Sequence, residues 1–209
     1  MKGIDHESPK SISVDMISSR VFAITDKGLF IVWDLATLDQ KYSKNYYKPS
    51  KAVISFRFSN KVMIVFENEI IVVDSNPTAS KYDELVEYKL ALNPISDVKL
   101  NYSENLLAVA TYSASAPDIS IFEVNYGFKR KTNIVGFKTA IKHIDFSTDN
   151  KYLQCEDNLG ESWLIEIDTK RVIHTEAGGF ELEWLGDGLR SNPDLKGIHY
   201  YYGQSNKIT

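Results

Sequence analysis

The sequence predicts an all-β chain built from repeated four-stranded units, on two observations. Four segments open alike: "SVDMIS" ends at Ser18, "SFRFS" at Ser59, "VKLNYS" at Ser103 and "HIDFS" at Ser147, spacings of 41, 44 and 44 residues. Each opening is followed by two runs of β-formers joined by a turn, then by a strand of alternating polarity. Four short strands per unit, at a period of about 40 to 45 residues, is the pattern of β-propeller blades.

The elements follow in order. First strands are expected to begin near residues 12, 53, 96 and 141, each ending in a serine whose hydroxyl serves the turn. Second strands are "RVFAIT" (20–25), "KVMIVF" (61–66), "LLAVAT" (106–111) and "KYLQCE" (151–156). Hairpin turns "DKG", "EN", the longer "YSASAPD" and "DNLGE" lead to the third strands. These are "LFIVWDL" (29–35), "EIIVVDS" (69–75), "ISIFEVN" (119–125) and "SWLIEID" (162–168), carrying Trp33, Val73, Phe122 and Ile165. "QKYSKNYY", "VEYKLAL", "FKRKTNIV" and "RVIHTE" close the units. The blades therefore span about 11–49, 51–92, 95–136 and 140–177, with the start of a fifth from 180, all within one partial domain covering 1–209. A seven-bladed ring at this period needs on the order of 300 residues, so four blades and a beginning are expected to be part of a larger propeller.

Composition narrows the function classes. The chain has 209 residues, 43% of them hydrophobic and 25% charged, with a net charge of −4. Both signs are interspersed, so neither a nucleic-acid tail nor a polybasic membrane anchor is expected. The longest wholly apolar runs, such as "LLAVA" (106–110), are far shorter than a membrane span, and "MKGIDHESPK" has no secretory h-region. The single cysteine, Cys155, leaves no internal disulfide and fits a reducing, cytoplasmic setting.

His143, Asp145 and Ser147 bring the three residue types of a hydrolase triad into five positions. On a strand they share one face, but residues two apart have Cα atoms about 6.5 Å from one another. A working triad needs hydrogen-bond contacts near 3 Å. The blade-start reading therefore displaces the hydrolase reading. His6, His143, His174 and His199 are too scattered for metal ligation, and "GDG" (186–188) lacks a phosphate-loop context. Asp145, Asp149 and Asp157 read as turn aspartates. No catalytic residue, cofactor or metal is expected, and the partner-binding residues are unassigned. The tyrosines of "KYSKNYYK" and "IHYYYG" read first as solvated outer-strand positions and second as interface aromatics.

The Trp33-Asp34 dipeptide at the end of a third strand, with Asp74 and Asp168 ending "IVVD" and "LIEID", resembles the WD-repeat family. The resemblance implies a hydrogen-bonded structural set of His6, Asp26 and Trp33 in the first unit, with Thr25 as the second-strand hydroxyl at the turn. In the fourth unit Asp157 and Trp163 match, while Phe137 stands where the family has histidine. Residues 95–168 are similar to the second propeller of the echinoderm microtubule-associated protein-like (EMAP-like) family. "FELEWLGDGLRSNPDLKGIHYYYG" is similar to its next unit, with Glu183-Trp184 and Gly197-Ile198 matching and His199 replacing a tryptophan. "FKRK" (128–131) matches only half of the phosphoinositide motif of other propellers.

The resemblance implies a non-catalytic scaffold that binds proteins, with tubulin or microtubules as partner and a cytoskeleton-associated location. The family's N-terminal coiled coil, on which lattice binding leans, has no counterpart in these residues. The alternatives are a general WD-repeat scaffold of a ciliary or ubiquitin-ligase assembly and a hydrolase on a propeller frame. Self-association through open terminal blades is also expected.

Overall fold

Alternating and continuous apolar runs sort the strands by position. The second and third strands, such as Arg20–Thr25 and Leu29–Asp34, are rich in Val, Ile, Phe and Ala on both faces, and both faces are buried. Such strands suit the middle of a sheet covered on its two sides. First and fourth strands alternate in burial, as edge strands exposed on one side do. A computed structural model describes residues 7–74, 86–112, 116–173, 182–185 and 198–199.

Four antiparallel sheets result, each a meander of sequence neighbours. The first holds β1 (Pro9–Asp15), β2 (Arg20–Thr25), β3 (Leu29–Asp34) and β4 (Gln40–Asn45). The second holds β5 (Ser50–Ser55), β6 (Lys61–Phe66), β7 (Glu69–Asp74) and β8 (Val86–Ala91). The third holds β9 (Ile95–Leu100), β10 (Leu106–Thr111), β11 (Asp118–Glu123) and β12 (Lys129–Ile134). The fourth holds β13 (Ile141–Phe146), β14 (Tyr152–Asp157), β15 (Ser162–Glu166) and β16 (Arg171–Ile173). β17 (Glu183–Trp184) and β18 (Ile198–His199) pair in parallel, and a 3-10 turn spans Val124–Tyr126. The chain is all-β and blade-built. First strands start at Pro9, Ser50, Ile95 and Ile141, up to three residues ahead of the expected 12, 53 and 96 and on the expected 141.

The chain forms two compact units, Met1–Ile95 and Ser96–Thr209. In the first unit Phe22, Ile24, Phe30 and Val32 pack on Val53, Val62, Ile64, Phe66, Ile71 and Val73 of the next sheet. In the second, Ala108, Ala110, Ile119 and Ile121 pack on Ile144, Phe146, Leu153, Cys155 and Ile165. Burying each such Leu, Ile or Phe contributes about 1.5–3 kcal/mol. Sheet-on-sheet packing of these side chains therefore holds each unit together.

Register equates the expected third-strand residues. Trp33 lies opposite Val21, Val73 opposite Val62, Phe122 opposite Leu107 and Ile165 opposite Leu153, and Val73 and Ile165 pack toward the preceding sheet of their own unit. Gly28 closes the first hairpin at φ +92, and an added Cβ would lie 2.4 Å from the Lys48 carbonyl oxygen. Only glycine fits there.

The four blade-start serines are not equivalent, which corrects the sequence reading. Asp15 Oδ1 accepts the amides of Ile17 and Ser18, and the Ser18 hydroxyl donates to Asp15 Oδ2 at 2.5 Å. Asn101 and Ser147, not Ser103, occupy the position that closes the turn five residues on. Leu106 N donates to Asn101 Oδ1 and Tyr152 N donates to Ser147 Oγ, both at 2.9 Å. The turn needs an acceptor at its first residue, and Asn and Ser supply it alike.

The outer-strand tyrosines are also corrected. Tyr42 meets Phe30 edge-on at 6.4 Å and Tyr46 meets Phe66 at 5.1 Å, so both belong to the packing between the first two sheets. Tyr47 is exposed, in a left-handed conformation at φ 54. "VEYKLAL" forms β8 as expected, and most of "IHYYYG" lies outside the described residues.

Candidate protein-interaction surfaces

The first strands of adjacent sheets touch through a repeated polar contact. Ser11 Oγ accepts the Val53 amide at 3.2 Å, and Ser13 Oγ accepts the Ser55 amide at 2.9 Å. In the second unit Asp97 Oδ2 accepts the Ile144 amide at 2.8 Å, while Asp97 Oδ1 accepts the Val98 amide at 2.8 Å. Ser11 lies opposite Ile24 and His143 opposite Glu156, one residue ahead of the pairs Ile12 with Ala23 and Ile144 with Cys155. Val53 opposite Ile64 completes that series. The rule is a polar side chain on one first strand capping an edge amide on the next. Uncapped, such an amide would be a buried donor without a partner.

That contact decides the placement of the "HIDFS" residues. His143 Nδ1 lies 3.4 Å from Asp97 Oδ2. Asp145 is buried, and its Oδ1 accepts the Phe146 amide at 3.0 Å. The Ser147 hydroxyl lies 2.6 Å from Asp149 Oδ1, inside the turn. Ser147 is held by Asp149 and Tyr152, whereas His143 turns to another strand. Asp157 Oδ1 accepts the amides of Leu159 and Glu161 at 2.9 and 3.0 Å, closing the β14–β15 hairpin as a turn aspartate.

The residues of the implied WD set are placed in part. Asp26 Oδ1 accepts the Ser8 amide at 3.2 Å, Thr25 Oγ1 accepts the Leu29 amide at 2.9 Å, and Trp33 is buried. His6 and His174 lie outside the described residues, as does the "GDG" stretch, and His199 is described in its backbone alone. In the fourth sheet Phe137 meets Trp163 edge-on at 5.7 Å, and the buried Trp163 Nε1 has no hydrogen-bond partner. An aromatic contact occupies the place of a polar one.

The half-motif "FKRK" is occupied by local contacts. Phe128 is buried, Arg130 lies over the Phe122 ring at 5.7 Å, and Lys131 pairs with Asp168 at 2.7 Å. Among the described residues, no three His, Cys, Asp or Glu are placed to hold a metal ion, and no helix is long and apolar enough to cross a membrane. Burial pushes the Cys155 thiol pKa well up, with the Asp157 charge adding to it.

One edge of the first unit collects exposed apolar side chains. The β1–β2 and β3–β4 turns lie at the same end of their meander, and the caps from Ser11 to Val53 and from Ser13 to Ser55 set β5 parallel to β1. The β5–β6 turn therefore shares that end. Met16 (75% exposed), Ile17, Leu38 and Phe58 (63% exposed) sit in these three turns. Sequence reasoning passed over them, although "DMIS" and "FRFS" put large apolar residues where turns favour polar ones.

No family model matches the chain. Among solved structures the chain is similar to Kuenenia stuttgartiensis hydrazine synthase, with a TM-score of 0.64 and 14% identity over 83% of this chain and 51% of that one. The chain thus spans about half the length of that structure, whose fold is β-propeller-like. At this identity the likeness shows the fold alone.

Proposed function

We propose that the chain is a WD-repeat propeller segment of the EMAP-like type that binds proteins and associates with microtubules or tubulin in the cytoplasm. The observation that carries protein binding is the turn edge of Met16, Ile17, Leu38 and Phe58. Large apolar side chains gathered on one exposed edge mark interaction sites more often than isolated ones do. The turns carrying Met16, Ile17 and Leu38 are pinned by Asp15 and by Asp34, whose Oδ1 accepts the amides of Ala36 and Thr37. A pre-formed edge loses little conformational freedom on binding. The tubulin assignment rests on the sequence resemblance over residues 95–168 and 180–209.

Co-sedimentation with polymerised tubulin tests this reading. Saturable pelleting that weakens in Phe58→Ser supports it. Pelleting no greater than that of an unrelated globular protein removes the microtubule assignment and leaves the general scaffold in a ciliary or ubiquitin-ligase assembly. The hydrolase reading would need turnover that Ser147→Ala abolishes.

A further inference from the structure

The fourth sheet departs from its repeats at one buried position. Register sets Gln154, opposite Leu164, at the place of Phe22 opposite Val32, Met63 opposite Val72 and Ala108 opposite Ile121. Phe22 packs on the second sheet and Ala108 on the fourth, so this face looks toward the sheet that follows. All four residues are 0% exposed, and Gln154 alone is polar. Neither of its amide atoms has a hydrogen-bond partner among the described residues. Asp145, buried and opposite Gln154, carries the polar character of this face onto β13.

The cover over Gln154 is the segment that carries β17. Trp184 is buried against Leu164, with Tyr152, Ile173 and Leu182 packed around the pair. Leu164 lies opposite Gln154, and Tyr152 is two residues away on the same face, so the Trp184 cluster sits over the amide. The segment's backbone meets the fourth sheet at the Ser147–Trp184 bridge and through Leu185 N, which donates to the Phe146 carbonyl at 3.1 Å. In both units the first of the two sheets is covered by a four-stranded neighbour. β17 has two residues and pairs with the equally short β18. A ribbon of that size has little stability of its own. A buried amide without partners costs free energy while the cover is closed and regains its hydrogen bonds in water on release. Trp184 thus holds the segment down, and Gln154 weakens the hold.

We propose that residues 182–185 form a strap that releases from the fourth sheet while the rest of the second unit stays folded, and that Gln154 keeps it releasable. Closed, the strap buries Trp184 and Leu164 and occupies the Phe146 carbonyl. Open, it presents Leu164, the Gln154 amide and that carbonyl to water. An apolar residue at position 154, as in the other three sheets, would lock the strap in place. The device belongs to the second unit and stands or falls separately from the turn edge proposed to bind proteins.

Amide hydrogen exchange of the full chain, read residue by residue by NMR over a series of low urea concentrations, tests the proposal. The Leu185 amide should exchange at least a hundredfold faster than the Cys155 amide of the central strand β14, at a rate that barely changes with urea. Local opening exposes little surface, whereas exchange through global unfolding rises steeply with urea. Gln154→Met keeps an unbranched side chain of similar length and removes the polar atoms, and should slow Leu185 exchange at least tenfold. Trp184→Ala should abolish protection at Leu185 and leave Cys155 protected. Equal exchange at Leu185 and Cys155, with a shared urea dependence, would make the segment part of the unit's cooperative core and overturn the proposal. Leu185 exchange that is unchanged or faster in Gln154→Met also overturns it, as does loss of Cys155 protection in Trp184→Ala.

Discussion

Asp97 makes two backbone contacts, and its removal is the most informative perturbation of the second unit. Asp97→Ala removes the acceptor of the Ile144 and Val98 amides, each bonded at 2.8 Å. Ile144 is fully buried, so its amide is left without a partner. A hydrogen bond to a charged group contributes about 1.5–3 kcal/mol, and an orphaned buried donor costs about 1–3 kcal/mol. The Val98 bond joins adjacent residues and is partly replaced by water, so the expected loss is about 2–4 kcal/mol. For a chain of this size each kcal/mol lowers Tm by about 2–4 °C. Urea unfolding and a thermal melt followed by circular dichroism measure the loss. Asp97→Asn keeps one acceptor oxygen and should lose about half as much. His143→Ala removes only the 3.4 Å contact of a part-exposed imidazole and should cost under about 1 kcal/mol. Two results would contradict a stabilising amide cap: Asp97→Ala within about 0.5 kcal/mol of wild type, or His143→Ala as costly as Asp97→Ala. The second would make the contact between His143 and Asp97, not the amide cap, the source of stability.

Other consequences follow from the same geometry. Gly28→Ala should destabilise by roughly 2–3 kcal/mol in urea titration, because φ +92 and the Lys48 carbonyl both oppose a Cβ. Cys155 should resist a thiol reagent in the folded chain and react fully in denaturant, because burial holds the thiol pKa well above its usual range. Rapid labelling without unfolding would mean the second unit's core opens. The amides of Thr37 and Ala36 hold the Asp34 carboxyl below the usual carboxylate range. A depressed pKa stabilises the fold above the unfolded value and loses that stabilisation as pH falls through the folded one. Asp34→Asn should therefore flatten the acid side of the stability profile and leave its alkaline side unchanged. Leu153→Ala, in the buried face of the fourth sheet, should cost about 2–5 kcal/mol.

The strands were legible because their chemistry is local. "KVMIVF" and "EIIVVD" are rich in β-branched Val and Ile, and both faces are covered, so the apolar run and the burial coincide. The serines misled because the turn asks for an acceptor at its first residue, which Asp15, Asn101 and Ser147 supply with different side chains. Serine identity was therefore a poor guide to position. Tyr42 and Tyr46 were misread because alternation does not say whether the second face meets water or a neighbouring sheet. The amide caps left a signal that went unread: Ser11-Ile12, Asp97-Val98 and His143-Ile144 repeat a polar-to-apolar step at one register position. Ala52 breaks the series at the second sheet. The turn-edge residues were legible as apolar side chains in turns, but their gathering on one edge depends on β5 running parallel to β1.

We propose that microtubules bind at the turn edge of the first unit, at Met16, Ile17, Leu38 and Phe58. Titrating polymerised tubulin against wild type, Phe58→Ser and the double variant Met16→Ser/Phe58→Ser, with bound fraction read from the pellet, tests it most directly. Saturable wild-type binding is expected, with weaker binding by the single variant and a loss of at least tenfold in the double variant, and with melts unchanged because both side chains are exposed. Equal binding by all three proteins, or no binding by the wild type, would contradict it.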